Sequence, residues 1–284
     1  MSRRRNLQQR VESLGEIQSI MGAMKNLAFM ETRKLAQFLT SQQQSVASIE
    51  LAANDFVSFY GNTLPQHKAI NEVYLVIGSE RGFCGDFNEK LVEVVFSYQP
   101  DMTIQPPIVA IGNRLESKLR NQPSLVTIIE GASVTEEVEP IITQIANRLV
   151  EMQKALTQGT VLGVTAFYHS DEANGIKVRR LLPLPKTTQP DLHYSHPPLL
   201  NLAPLEFYAG LTEHYLYAAL HETIYSSLMV ENRYRLEHMD NAIRQMDKKL
   251  SQLKLKYNAL RQEEIIEEIE IIMLSVETLT SSTT

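Results

Sequence analysis

The sequence predicts an α/β fold in which a central sheet-bearing domain is flanked by two long terminal helices that close on each other as an antiparallel coiled coil. Three observations predict it. All 12 prolines lie between Pro65 and Pro204, which leaves a proline-free arm at each end. The second arm carries a seam, Leu236, Met239, Ile243, Met246, Leu250, Leu253, Tyr257 and Leu260, whose spacings alternate between three and four. That is the period at which helices supercoil to keep one stripe buried. Between the arms, short β-rich runs alternate with helical stretches, as in an α/β layer.

The arms come first. From about Arg3 to Tyr60, apolar residues recur at Leu7, Val11, Leu14, Ile17, Met21, Met24, Ala28, Leu35, Phe38, Ile49, Ala52, Phe56 and Tyr60, a helical period less strict than the second arm's. Gly15 and Gly22 lower helix propensity by about 1 kcal/mol each, and small residues there let two helix axes approach. After Gly210 neither glycine nor proline occurs, so from about Leu205 to Leu279 nothing stops a helix roughly 110 Å long. The expected divisions are residues 1–60, 71–190 and 205–284.

The middle reads as strands at Val73–Ile77, Ile108–Ile111, Leu125–Ile129, Val161–His169 and Ile176–Leu182, with helices at Asn113–Arg120 and Ser133–Leu156. Ser133 and Glu136 have capping-box spacing. The Asn174-Gly175 pair suits a reversal between the last two strands, making the sheet mixed. A proline-rich loop, Pro183–Pro204, leads to the second arm.

Bulk properties exclude several classes. No run of 18 apolar residues exists, and Met1-Ser2-Arg3-Arg4-Arg5 is not followed by an apolar core, so neither membrane spanning nor export is expected. One cysteine, Cys84, excludes an internal disulfide and a multi-cysteine zinc site. A net charge of −6 argues against general nucleic-acid binding. The distribution is uneven: Arg233, Arg235, Arg244, Lys248, Lys249, Lys254, Lys256 and Arg261 precede Glu263, Glu264, Glu267, Glu268 and Glu270. Such runs are usually solvated faces, though a basic coil also suits acidic partner surfaces.

Spacing separates the candidate sites. Gly78–Asn88 follows a strand and precedes a helix, where α/β proteins often hold phosphates, but it lacks both glycine-rich nucleotide patterns. A tight turn built on Arg81, Gly82, Cys84 and Gly85 is the better account. Cys84 beside Arg81 fits a buried small residue better than an activated thiol. His221-Glu222 opens like a zinc helix, yet Tyr225 stands where the second histidine belongs. His193 and His196 lack a third ligand, so no metal and no cofactor is expected. Beyond Leu260 the heptad would put Glu264 and Glu267 inside. The apolar stripe moves instead to Ile265, Ile269, Ile272 and Val276, so at Arg261–Glu264 the coil either changes packing partner or stutters.

Three stretches together resemble the gamma subunit of F-type ATP synthases, the central rotor shaft. They are Tyr74-Leu75-Val76-Ile77 with Arg81-Gly82-Phe83-Cys84-Gly85 and Asn88, then Leu181-Leu182-Pro183-Leu184-Pro185, then Tyr257-Asn258-Ala259-Leu260-Arg261-Gln262. The resemblance covers essentially the whole chain. It implies a Rossmann-like α/β domain with the coiled coil inserted in a ring of alternating alpha and beta subunits. It also implies contact with an epsilon subunit and the membrane c-ring, and no catalysis by this chain. The implied location is peripheral, on the cytoplasmic face of a prokaryotic energy-transducing membrane, plasma or thylakoid. Carried over residue by residue, the subunit contacts are Met24, Lys25, Arg235, Arg261 and Gln262. The sequence departs from the family at Glu80, Phe83, Asp86 and Phe87, at Asn26–Lys34, and at Ile271-Ile272-Met273-Leu274. These departures look like the divergent gamma subunits of alternate bacterial and archaeal ATPases, a class for which sodium is a candidate ion. Two rivals stand beside this reading: a nucleotide-binding α/β enzyme with a coiled-coil oligomerisation arm, and a structural or DNA-binding coiled coil that dimerises through its seam.

Overall fold

The computed structural model describes residues 3–64, 69–98, 105–157, 159–171, 175–184 and 196–281. They form two units: Met1–Leu27 with Leu236–Thr284, and Ala28–Arg235. Helix α1, Arg3–Tyr60, and helix α5, Pro204–Ser281, contribute to both. The division therefore falls inside each helix rather than at its end.

In the first unit the two helices run antiparallel. Gln18 donates to Asp247 at 2.6 Å, Lys25 pairs with Asp240, and Arg4 pairs with Glu264 at 3.1 Å, so the partner's number falls as that in α1 rises. All eight seam residues from Leu236 to Leu260 are buried or half-buried, whereas nearly every position between them is exposed. On α1 the match is looser, because Ile17 lies 45% exposed. An added Cβ at Gly15 or Gly22 would meet nothing within 4 Å, so these glycines do not mark a close approach of helix axes. They are sites of low helix propensity only.

The second unit is built on a five-stranded sheet of order β3-β2-β1-β4-β5. Its strands are β1 Ala69–Ile77, β2 Ile108–Ile111, β3 Leu125–Ile129, β4 Thr160–Ser170 and β5 Gly175–Leu182. The first four are parallel and β5 runs antiparallel to β4, so the sheet is mixed as expected. Strand alternation divides the core. Val73, Leu75 and Ile77 face one layer with α1, α5 and α4, Val138–Lys154. Tyr74 and Val76 face the other, with α2, Phe87–Ser97, and α3, Glu116–Leu119. Residues 172–174 of the expected reversal, with Asn174, and residues 185–195 of the Pro183–Pro204 loop, with Pro185 and His193, lie outside the described residues.

Local predictions are corrected in three places. On α1 the buried stripe takes Leu39 and Ala53, leaving their neighbours Phe38 and Ala52 exposed. The Ser133–Glu136 capping box does not form, because a 3-10 turn at Thr135–Glu137 delays the α-helix to Val138. Glu137 accepts the Ser133 N–H at 2.6 Å, and Glu136 pairs with Lys34, which holds its carboxyl below the usual range. The remote Glu31 on α1 caps the turn, accepting the Thr135 N–H at 3.0 Å and its hydroxyl at 2.7 Å. Asn113–Arg120 is a 3-10 turn leading into the short α3 rather than one α-helix.

Candidate functional site: partner-contact surfaces

A doubly wound sheet normally binds ligands beyond the carboxyl ends of its strands where the order reverses. Here that place lies between β1 and β4, and α5 fills it. Ser227 Oγ donates to the Ile77 carbonyl at the end of β1, and Ser226 Oγ donates to the His169 carbonyl at the end of β4, each at 3.1 Å. Beside it, the backbone N–H groups just past β2 and β3 would suit a phosphate. Glu80 takes them: its carboxylate accepts from Asn113 N–H at 3.0 Å and from Gly131 N–H at 2.7 Å. The chain's own helix and its own carboxylate thus occupy both positions a nucleotide would use.

The turn between β1 and α2 is shaped by close packing. A Cβ at Gly78 would come within 2.5 Å of Leu115, so only glycine fits. Asn88, on the first turn of α2, accepts the Ser79 N–H at 3.0 Å and donates to Ser79 Oγ at 2.8 Å. Phe83 and Gly85 both take positive φ, 66° and 60°. Gly82 does not, so of the two glycines in the predicted turn only Gly85 meets a conformational need. Arg81 is exposed at the surface of the turn. Cys84 is buried beneath it, its thiol donating to Ser79 Oγ at 3.2 Å, and burial pushes the thiol pKa up. It is a packed, unreactive residue.

The predicted contact residues fall into distinct settings. Met24 and Lys25 are half-buried in the first unit, with Lys25 held by Asp240, which also accepts from Arg244 at 2.7 Å. Arg261 and Gln262 are exposed. Beyond them Ile265, Ile269 and Ile272 are 43%, 51% and 61% exposed, so the displaced apolar stripe faces outward. Arg235 belongs to the second unit and is buried. It pairs with Glu231 one turn earlier and donates to Asn232 Oδ1 at 2.8 Å. Burial outweighs Arg235 and pushes the Glu231 carboxyl up to about 7. Repulsion from Glu80 adds to the rise and Arg81 opposes it.

Sequence reasoning missed a further cluster. Arg179 on β5 donates to Glu222 on α5 at 2.6 Å and to Glu50 on α1 at 2.7 Å, with Tyr215 beside it. Burial opposes its charge, and Tyr215, Glu222 and Glu50 outweigh that, raising its pKa above the ordinary arginine value. Glu222 is thereby spent on an ion pair rather than a metal, and His221 packs between Tyr217 and Tyr225. Among the described residues no group of three His, Cys, Asp or Glu is placed to hold a metal ion. No described helix is long and apolar enough to cross a membrane.

Comparison with known proteins agrees with this geometry. Proteins named ATP synthase gamma chain are similar over 94% of this chain and 95% of their own length, at 23% identity in Clostridium botulinum strain Langeland and 25% in Clostridium beijerinckii. The rotor of the Euglena gracilis mitochondrial ATP synthase shares the fold, with a TM-score of 0.56 at 14% identity over 92% of this chain and 98% of that one. The central stalk and c-ring structure from Tetrahymena thermophila gives 0.52 at 16% identity over 78% and 99%. The sequence model of the ATP synthase family matches residues 3–279, and this chain belongs to that family.

Proposed function

We propose that the chain is the central shaft, the gamma subunit, of a rotary ATP synthase, and that it couples ion flow in a membrane sector to nucleotide exchange on its partners. The observation that supports this most is the coil closed by the chain's own two ends. An oligomerisation arm would leave that seam open for a second copy. The nucleotide-enzyme reading is weakened by Ser226, Ser227 and Glu80, which occupy the crevice a nucleotide would need.

In this reading the chain makes and breaks no bond. An asymmetric shaft touches each catalytic beta subunit differently, and turning it redistributes their open and closed states, because a ligand shifts an equilibrium only by its differential affinity. Met24, Lys25, Arg261 and Gln262 meet alpha and beta subunits, and the exposed Ile265–Ile272 face lies in an apolar part of their bore. Exposed ion pairs contribute about 0–1 kcal/mol each, so torque is spread over many contacts. The sheet-bearing unit meets an epsilon subunit and the c-ring. The subunit is peripheral, on the cytoplasmic face of the membrane.

Co-expression with the alpha and beta subunits of the same organism tests this. The expected outcome is one copy per hexamer and ATP hydrolysis that depends on its presence. Hydrolysis unchanged by omitting the chain would refute the shaft.

A further inference from the structure

Arg235 is expected from family resemblance to touch a partner, yet its side chain is only 6% exposed and its donors point inward. One end of the guanidinium pairs with Glu231, Nη1 binds Asn232, and Nε approaches the Gly82 carbonyl at 3.5 Å. The base of the same turn is held by a small core in which Cys84 and Phe87 pack with Val230 of α5, and Tyr234 lies against it.

Two features of this region cost energy. Asn232 accepts from Arg235 through Oδ1, yet its Nδ2 is buried with no hydrogen-bond partner among the described residues. Phe83 adopts a positive φ, strained for a residue with a Cβ, and its ring is 57% exposed. A buried ion pair can often be replaced by apolar residues without loss of stability. What Glu231, Asn232 and Arg235 supply is therefore better described as shape than as stability.

We propose that Arg235 is a positioning residue: with Glu231 and Asn232 it forms a buried clasp on the Arg81–Gly85 turn, and it acts on a partner protein through the exposed Phe83 that this turn presents. The partner surface that fits is an apolar depression sized for one aromatic ring, with a carboxylate in reach of Arg81. The part concerning a partner rests on the shaft reading; the clasp itself does not.

Cys84, the only cysteine, reports on the turn, because its buried thiol reacts with a soluble disulfide reagent only when the turn opens. In the isolated full-length chain, Arg235→Gln should speed labelling at least about tenfold through easier local opening. Glu231→Gln should speed it less, and Arg235→Lys should restore part of the protection, since an ammonium cannot reproduce the guanidinium fork. Far-UV circular dichroism confirms that each variant is folded. Phe83→Ala gives a folded comparison that should label as the parent does. Labelling of folded Arg235→Gln at the parental rate would overturn the clasp.

A second arm uses the complex with alpha and beta subunits and measures ATP hydrolysis for Arg235→Gln, Phe83→Ala and the pair. If Arg235 works through the turn, adding its substitution to Phe83→Ala lowers activity by no more than about twofold, the signature of coupled sites. Multiplying effects would overturn the positioning role and leave both the labelling result and the shaft reading standing.

Discussion

Replacing Gly15 and Gly22 by alanine should stiffen the coil. Each glycine sits inside α1, and an added Cβ meets no atom within 4 Å, so no steric cost opposes the substitution. What remains is helix propensity, about 0.8–1.0 kcal/mol in favour of alanine at each site. The two positions are about 10 Å apart along the helix axis, beyond the range at which such effects usually couple. The double variant should therefore gain about 2 kcal/mol, which slows local opening by a factor of about 30. Amide hydrogen exchange of residues flanking Met21 measures this directly, with the single variants each giving about half the gain. Loss of protection in either single variant would show that a second helix occupies the space above that glycine, and the packing described for the first unit would be wrong.

Two further outcomes follow from buried charge. Arg179→Met leaves Glu50 and the more deeply buried Glu222 without their cation and should cost about 3 kcal/mol in urea unfolding, whereas adding Glu50→Leu and Glu222→Leu should recover most of it. A cost below about 1 kcal/mol would mean that the cluster is more hydrated than its geometry indicates. His169 is buried against Phe87 with Nε2–H donating to the Phe87 carbonyl at 2.9 Å, and burial lowers its pKa below 6.5. It therefore contributes stability that is present above about pH 6.5 and lost as pH falls below it. Glu231 works oppositely: its raised carboxyl binds a proton more tightly in the fold, so its contribution is lost as pH rises from about 4.5 toward 7. Comparing urea midpoints at pH 5 and pH 7, His169→Gln should lose less stability on acidification than the parent, and an unchanged difference would remove His169 from the account.

How much of this was legible depended on how many residues voted for each element. The α5 seam has eight positions with one phase, and all eight are buried or half-buried. On α1 the helix was readable but its buried edge was off by one residue at Phe38 and Ala52. Leu39 and Ala53 stand next to them, and periodicity cannot rank adjacent apolar residues when the partner surface is unknown. The five strands were found because β-branched runs bounded by turn residues need no tertiary information. Polar assignments failed where partners are remote in sequence. The cap on Thr135 comes from Glu31, the partners of Arg179 are Glu50 and Glu222, and the amides past β2 and β3 are taken by Glu80. Arg235 was assigned by resemblance alone, and no periodic pattern marks it as buried.

The phase slip after Leu260 carries a different kind of information. Up to that point burial on α5 follows the seam, and Leu250 and Tyr257 lie in or near the covered stripe. At Glu264 the same face turns acidic and meets Arg4, so the carboxylate that breaks the hydrophobic repeat also ties the two helices where it breaks. The isoleucines that follow, Ile265, Ile269 and Ile272, are displaced to another face, where they lie about half exposed. Exposed apolar patches of this kind mark interaction surfaces. The spacing of four and three at Ile265, Ile269 and Ile272 is helical patterning with its own phase, distinct from that of the seam. In the shaft reading, the seam packs inside the molecule and the face after the slip packs against the assembly around it.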